Sequence, residues 1–265
     1  MMDFPRWTDR LAHLHLGELH LFHEVGSTNL EAEKLIERGV EPFSLVVADS
    51  QTAGKGRRDR TWITKQGQAL AFSWILFPEK GRIQPETLGR ISGLGALAVA
   101  EVVEDKLGLR CEIKWPNDVL IEGKKVAGIL VENHWQSCQL LDVILGIGIN
   151  VGLDSIPADP PFIFPATSLE KAAGKEVDRL EILVAVMESL FKWHRRLVEP
   201  SIIKAWNENL AYQGQLVSLV SPKGPLTEGK VVEVAEDGSL VVETSPGAVR
   251  HFHSEEIQLR LVDRS

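Results

Sequence analysis

Apolar positions along the chain recur with two different periods, and the switches between them mark out most of the predicted elements. "STNLEAEKLIERG" (27–39) has helical spacing, with Thr28 and Glu31 three apart as in a capping box and Gly39 as a stop. "FSLVVAD" (43–49) and "QALAFSWILF" (68–77) are short apolar runs that predict two core strands joined by a polar loop. From Pro85 to Leu107, Leu88, Ile91, Leu94, Leu97 and Val102 return at helical intervals, and Gly93 and Gly95 would let another element pack close. "CEIKW", "DVLI", "KKVAGILVEN" and "QLLDVILGIGINV" then read as strands, with a hairpin turn at Glu122-Gly123.

Residues 154–166 hold four prolines and predict an irregular loop, followed by helices at 178–196 and 200–211. After Tyr212 the pattern changes to short β segments with turns at "SPKGP", "EDGS" and "SPGA". The expected fold is α+β: a mixed, largely antiparallel sheet packed with helices over 1–212, then a small SH3-like β-barrel over 213–265.

Composition narrows the function. The chain of 265 residues is 44% hydrophobic, enough for a sizeable core. With 29 Lys+Arg against 37 Asp+Glu its net charge is -8, which argues against a surface built to coat nucleic acid or anionic lipid. "MMDFPRWTDR" lacks the apolar run of a signal peptide, and no stretch approaches the roughly 18 apolar residues of a membrane span, so a cytoplasmic location is expected. Cys111 and Cys138 lack metal-ligand spacing and read as reduced thiols.

Against that acidic background, "QTAGKGRRDRTW" (51–62) concentrates Lys55, Arg57, Arg58 and Arg60 between glycines. Gly54 and Gly56 permit close backbone approach, and the cations offer charge-assisted donors, a combination suited to a carboxylate or phosphate. A solvated basic loop, or one gripping nucleic acid, would carry the same run. A P-loop would need glycine where Asp49 stands and Ser or Thr where Gly56 stands. "GIGIN" (146–150) begins like a dinucleotide fingerprint, but Val151 takes the third glycine's place. "KWPND" (114–118) sets Asn117 and Asp118 at a strand edge, and Lys125 opens an apolar strand where it could point inward. "HLHL" (13–16) and "HFH" (251–253) pair histidines on possible strands, too few ligands for a zinc site, and no metal-ligand set is readable.

Taken together, "GSTN" (26–29), "QTAGKGRRDRTW", "KWPND", "KKVAGILVE" (124–132) and "GIGINV" (146–151) resemble biotin-protein ligases in order and separation, over roughly residues 22–262. The resemblance implies that biotin's carboxylate is joined to ATP, giving biotinyl-adenylate, and that biotin then passes to a lysine of a biotin carboxyl carrier domain. It implies biotin contacts at Ser27, Thr28, Asn29, Gln51, Lys55, Gly56, Arg57 and Lys125. Nucleotide contacts fall on Arg57, Arg58, Arg60, Trp62, Asn117 and Asn150, with Lys55, Arg57, Lys125 and Asp118 closest to the chemistry. Magnesium is expected with ATP, and homodimers occur in the family.

Two positions depart from the family's G-R-G-R-R-G-R loop: Lys55 replaces the first arginine, and Asp59 the final glycine. Some members carry an N-terminal helix-turn-helix; the roughly 20 residues before the matching region are too few for one, so no specific DNA binding is expected. Two rival readings are a lipoate or octanoate ligase or transferase of related fold, and a nucleic-acid-binding module using the basic loop.

Overall fold

The computed structural model describes residues 2–58, 60–78, 83–156, 165–220, 227–253 and 258–261. Asp59 and most of the proline-rich loop lie outside them.

The chain opens with helix α1 (Phe4–Leu11) and strand β1 (Leu19–Val25), neither of which the periodicity revealed. Helix α1 is capped by the Asp3 side chain and carries Phe4, Trp7 and Leu11 at helical spacing, of which it buries only Trp7 and Leu11; at eight residues it is a short window for periodicity. The "HLHL" segment lies in the turns between α1 and β1 and is not a strand.

Helix α2 (Thr28–Glu37) and strands β2 (Leu45–Gln51) and β3 (Ala69–Leu76) follow, flanking the basic loop. The predicted capping box is not formed. Ser27 is the N-cap and makes no side-chain cap bond, while Thr28 is already helical. Helix α3 (Leu88–Leu107) is the buried central helix, entered through a 3-10 turn at Pro85–Thr87 and closed by Gly108 at φ 67°. Its Gly93 faces the Trp206 ring: a Cβ there would lie 2.2 Å from Cε3. The predicted close approach is thus made by helix α6 (Pro200–Glu208).

Strands β4 (Glu112–Lys114), β5 (Asp118–Ile121), β6 (Lys124–Gln136) and β7 (Gln139–Asn150) complete a seven-stranded sheet in the order β1-β2-β3-β7-β6-β5-β4. Only β1 and β2 are parallel. Glu122 and Gly123, at φ 49° and 71°, make the tight β5-β6 turn. Helices α4 (Leu169–Ala173) and α5 (Arg179–Arg195) follow. The helix expected to reach 211 stops at Glu208, because Leu210 and Ala211 leave it to bridge Ile113 on the edge of β4.

From Leu216 a second sheet forms: β8 (Leu216–Val220), β9 (Thr227–Val234), β10 (Leu240–Ser245), β11 (Ala248–Phe252) and β12 (Gln258–Leu261). All its pairings are antiparallel, in the order β11-β10-β9-β8-β12. Its β9-β10 turn lies against the N-terminus of α3. A Cβ on Gly89 would stand 2.1 Å from the Asp237 carbonyl oxygen, and Trp115 Nε1 donates to the Gly238 carbonyl at 3.0 Å.

Below the first sheet, fully buried Asp49 accepts from Arg179 Nη1 at 2.9 Å and from the Met2 amide at 3.1 Å. Burial alone would raise its pKa, but the Arg179 hydrogen bond and charge outweigh that and hold the carboxyl below its ordinary range.

Candidate active site

The basic loop folds back on itself instead of extending into solvent. Gln51 bridges Thr64 and Lys55 bridges Thr61, while the amides of Trp62 and Gly56 donate to the carbonyls of Gly54 and Arg60 at 2.8 and 2.6 Å. Gly54 is required at this crossing, because a Cβ would lie 2.3 Å from the Trp62 carbonyl oxygen. Arg58 takes the left-handed conformation at φ 58°.

Folded this way, the loop covers a cavity of about 450 Å³, within the roughly 300–1,000 Å³ usual for small-molecule sites. Ser27, Thr28, Asn29, Gln51, Lys55, Gly56, Arg57, Arg58, Arg60, Trp62, Asn117, Asp118, Lys125 and Asn150 all line it. The binding and catalytic positions that the resemblance implies therefore reach one space, although they come from the start of α2, the loop and strands β5 to β7.

One part of the lining is a fixed set of neutral polar groups. Buried Thr28 donates its amide to Gln51 Oε1 at 2.8 Å, and the Gln51 amide nitrogen donates to Thr64 Oγ1 at 3.0 Å. Ser73 Oγ lies 2.8 Å from Thr28 Oγ1 and 2.6 Å from Asn29 Oδ1. Thr28 and Gln51 are thus bound to each other across the cavity wall. Asn150 is less available: it is buried, and its Nδ2 donates to the Thr167 carbonyl at 3.1 Å.

A second group in the lining is cationic. Lys125 Nζ pairs with Asp118 Oδ1 at 2.5 Å and lies 5.4 Å from the centre of the Trp62 ring. Arg57 donates to Asn117 Oδ1 at 3.4 Å, and Asn117 Nδ2 is tied to the Ile129 carbonyl at 2.8 Å. Lys55 Nζ lies 3.2 Å from Glu132 and 3.5 Å from Glu33. Burial would lower the Lys55 pKa, but the two carboxylates reverse that and raise it, so Lys55 is a cation at neutral pH. Burial first, then the charge of Arg60, pushes Arg58 the other way.

Part of the lining is a floor without side chains. Gly128 on β6 and Gly148 on β7 are paired in register, and the Trp62 indole rests on them. A Cβ on Gly148 would meet Trp62 Cε2 at 2.3 Å, and one on Gly146 would meet Asn29 Oδ1 at the same distance. Trp62 Nε1 is buried and has no hydrogen-bond partner among the described residues, an expensive arrangement for an indole N–H. The alternation of Gly146 and Gly148 on one face of β7 was the available signal for this floor. Glu132, Thr64 and Ser73 carried no signal of their own, because single polar residues in apolar strands are common.

Among the described residues, no group of three His, Cys, Asp or Glu stands close enough to hold a metal ion. His13 pairs with Glu188, and His251 Nδ1 with Ser239 Oγ, both away from the cavity. Cys111 is buried and Cys138 exposed, and burial aided by Glu104 pushes the Cys111 thiol up to about 12. No helix among the described residues is long and apolar enough to cross a membrane.

Residues 22–150 match the model of the biotin/lipoate A/B protein ligase family. The chain is 33% identical over 250 residues to the bifunctional ligase/repressor BirA of Bacillus subtilis, covering 92% of this chain and 75% of that one. It is 32% identical over 230 residues to the biotin–[acetyl-CoA-carboxylase] ligase of Paracoccus denitrificans, covering 83% and 91%. The biotin protein ligase of Aquifex aeolicus, solved in complex with biotin and ATP, superimposes with a TM-score of 0.78 at 32% identity, covering 92% of this chain and 99% of that one.

Proposed function

The chain belongs to the biotin-protein ligase family, and from that premise we propose that it activates biotin with ATP and transfers it to a lysine of a biotin carboxyl carrier domain. The observation that carries this reading is one cavity lined by neutral hydrogen-bonding groups, clustered cations and a glycine floor.

In the first step a biotin carboxylate oxygen attacks the α-phosphorus of ATP. The new O–P bond forms as the α–β phosphoanhydride bond breaks and pyrophosphate leaves. Both reactants are anions, so the step needs fixed positive charge at their meeting point. Lys125, Lys55 and Arg57 supply it, while Asn117 keeps Arg57 in place. Ser27, Thr28, Asn29 and Gln51 hydrogen-bond the ureido group, and the ring system lies over Gly128 and Gly148, where the Trp62 indole now rests. Trp62, displaced from the floor, stays with Arg58, Arg60 and Asn150 on the nucleotide side.

In the second step the neutral amine of the acceptor lysine attacks the adenylate carbonyl, the C–N bond forms and AMP departs with the C–O electron pair. Asp118 is the carboxylate placed to take the amine's proton, and Lys125 holds it. Magnesium would enter with the ATP phosphates; the described residues that line the cavity do not make a cage for a resident ion.

We assign residues 1–212 to this chemistry and 213–265 to an appended domain, with a cytoplasmic setting and homodimers. Light scattering with and without biotin and ATP tests the dimer. The activation step is tested by pyrophosphate release without any carrier: biotin should trigger it and lipoate or octanoate should not. Release with lipoate alone would favour the related lipoate enzymes.

A further inference from the structure

We infer that Glu132 is a positioning residue that fastens the basic loop onto the cavity, acting through Lys55 and Asn29; this rests on the proposed biotin site. Glu132 projects from β6, outside the cavity lining. Its two oxygens serve two different elements: Oε1 lies 3.2 Å from Lys55 Nζ on the loop, and Oε2 accepts from Asn29 Nδ2 at 2.5 Å at the start of α2. Asn29 is buried and its Oδ1 accepts from Ser73 Oγ, so the amide is fixed from both sides. One carboxylate therefore couples the neutral part of the cavity lining to its cationic cover. Glu33 supports the same ammonium from α2 at 3.5 Å, a weaker contact.

Lysine at position 55 suits this arrangement. Its ammonium is a compact charge that two carboxylates can share from different directions, whereas a guanidinium would favour one planar, bidentate partner. With side chains 27–34% exposed, the Lys55–Glu132 and Lys55–Glu33 pairs are partly screened. Their loss should therefore change loop opening by a few-fold, not by orders of magnitude.

The test is Glu132→Gln, an isosteric change that keeps an oxygen for Asn29 but turns an amide N–H₂ toward Lys55. In the ligand-free full chain, tryptic cleavage after Arg57, Arg58 or Arg60 should be about threefold faster at an unchanged melting temperature. Biotin should bind more weakly by a similar factor, while the rate of transfer from preformed adenylate stays the same. Lys55→Gln, which also loses Glu33, should open the loop at least as much, and the double variant should be no faster than Lys55→Gln alone. Wild-type cleavage rates in Glu132→Gln, or additive effects in the double variant, overturn the inference. The cleavage experiment contains no biotin, so a wild-type chain that fails to bind biotin would refute the proposed function and leave the loop result standing.

Discussion

Replacing Gly148 by alanine puts one methyl group into the floor of the proposed site. The position has no left-handed φ to disturb, so the effect is steric. The new Cβ would lie 2.3 Å from Trp62 Cε2 and 2.5 Å from Nε1, where ordinary contact begins near 3.4 Å. The indole must therefore lift by about 1 Å or more, and any flat ligand taking its place meets the same obstruction. Overpacking of this kind costs about 1–3 kcal/mol, which is roughly a five- to 150-fold loss of affinity. Because Trp62 sits on a loop that can yield, the cost should fall on binding and not on folding. Calorimetric titration of biotin into Gly148→Ala should show that weakening with a melting temperature close to wild type. Gly128→Ala is the internal control. Its Cβ would meet the movable tip of Lys125 at 2.9 Å and Trp62 only at 3.2 Å, so its loss should be smaller. Wild-type affinity in Gly148→Ala would refute the glycine floor as the place where the ring system lies.

Three further outcomes follow from the same geometry. Lys125→Gln should lower the rate of adenylate formation by about 100- to 1,000-fold, the effect of losing one donor aimed at developing charge, and single-turnover pyrophosphate release within tenfold of wild type would contradict that. Asp49→Asn should cost about 3–5 kcal/mol in urea unfolding, because it leaves the Arg179 charge buried without its partner, and unchanged stability would contradict it. The native carboxyl of Asp49 is held below its ordinary range, so its stabilisation is complete above about pH 4 and fades as pH falls through the depressed value. The stability gap between wild type and Asp49→Asn should therefore narrow in acid, and a gap that widens there would reverse the assignment.

The parts of the fold that were legible in the sequence are those with strong, long periodicity. Helix α3 and strands β3, β6 and β7 emerged because their apolar positions are dense and their ends carry glycine or turn residues. Helix α1 and strand β1 did not, since α1 buries two residues and β1 sits at the sheet edge with only Val25 fully buried. The capping-box spacing at Thr28 was misleading because tertiary structure claims that residue: its amide is bound by Gln51, 23 positions away. The site was legible as residue types, since clustered cations and glycines announce anion chemistry locally. Its wiring was not. That Lys125 pairs with Asp118, that Glu132 reaches both Asn29 and Lys55, and that Trp62 lies on Gly148 depend on how β5, β6 and β7 are paired, which is long-range information.

The most direct test of the central claim is the intact mass of a biotin carboxyl carrier domain after incubation with this protein, biotin and ATP-Mg. The carrier domain should gain a single biotinyl group on one lysine, dependent on ATP and on Lys125. Modification by lipoate but not biotin, or biotin transfer that proceeds without ATP, would contradict it.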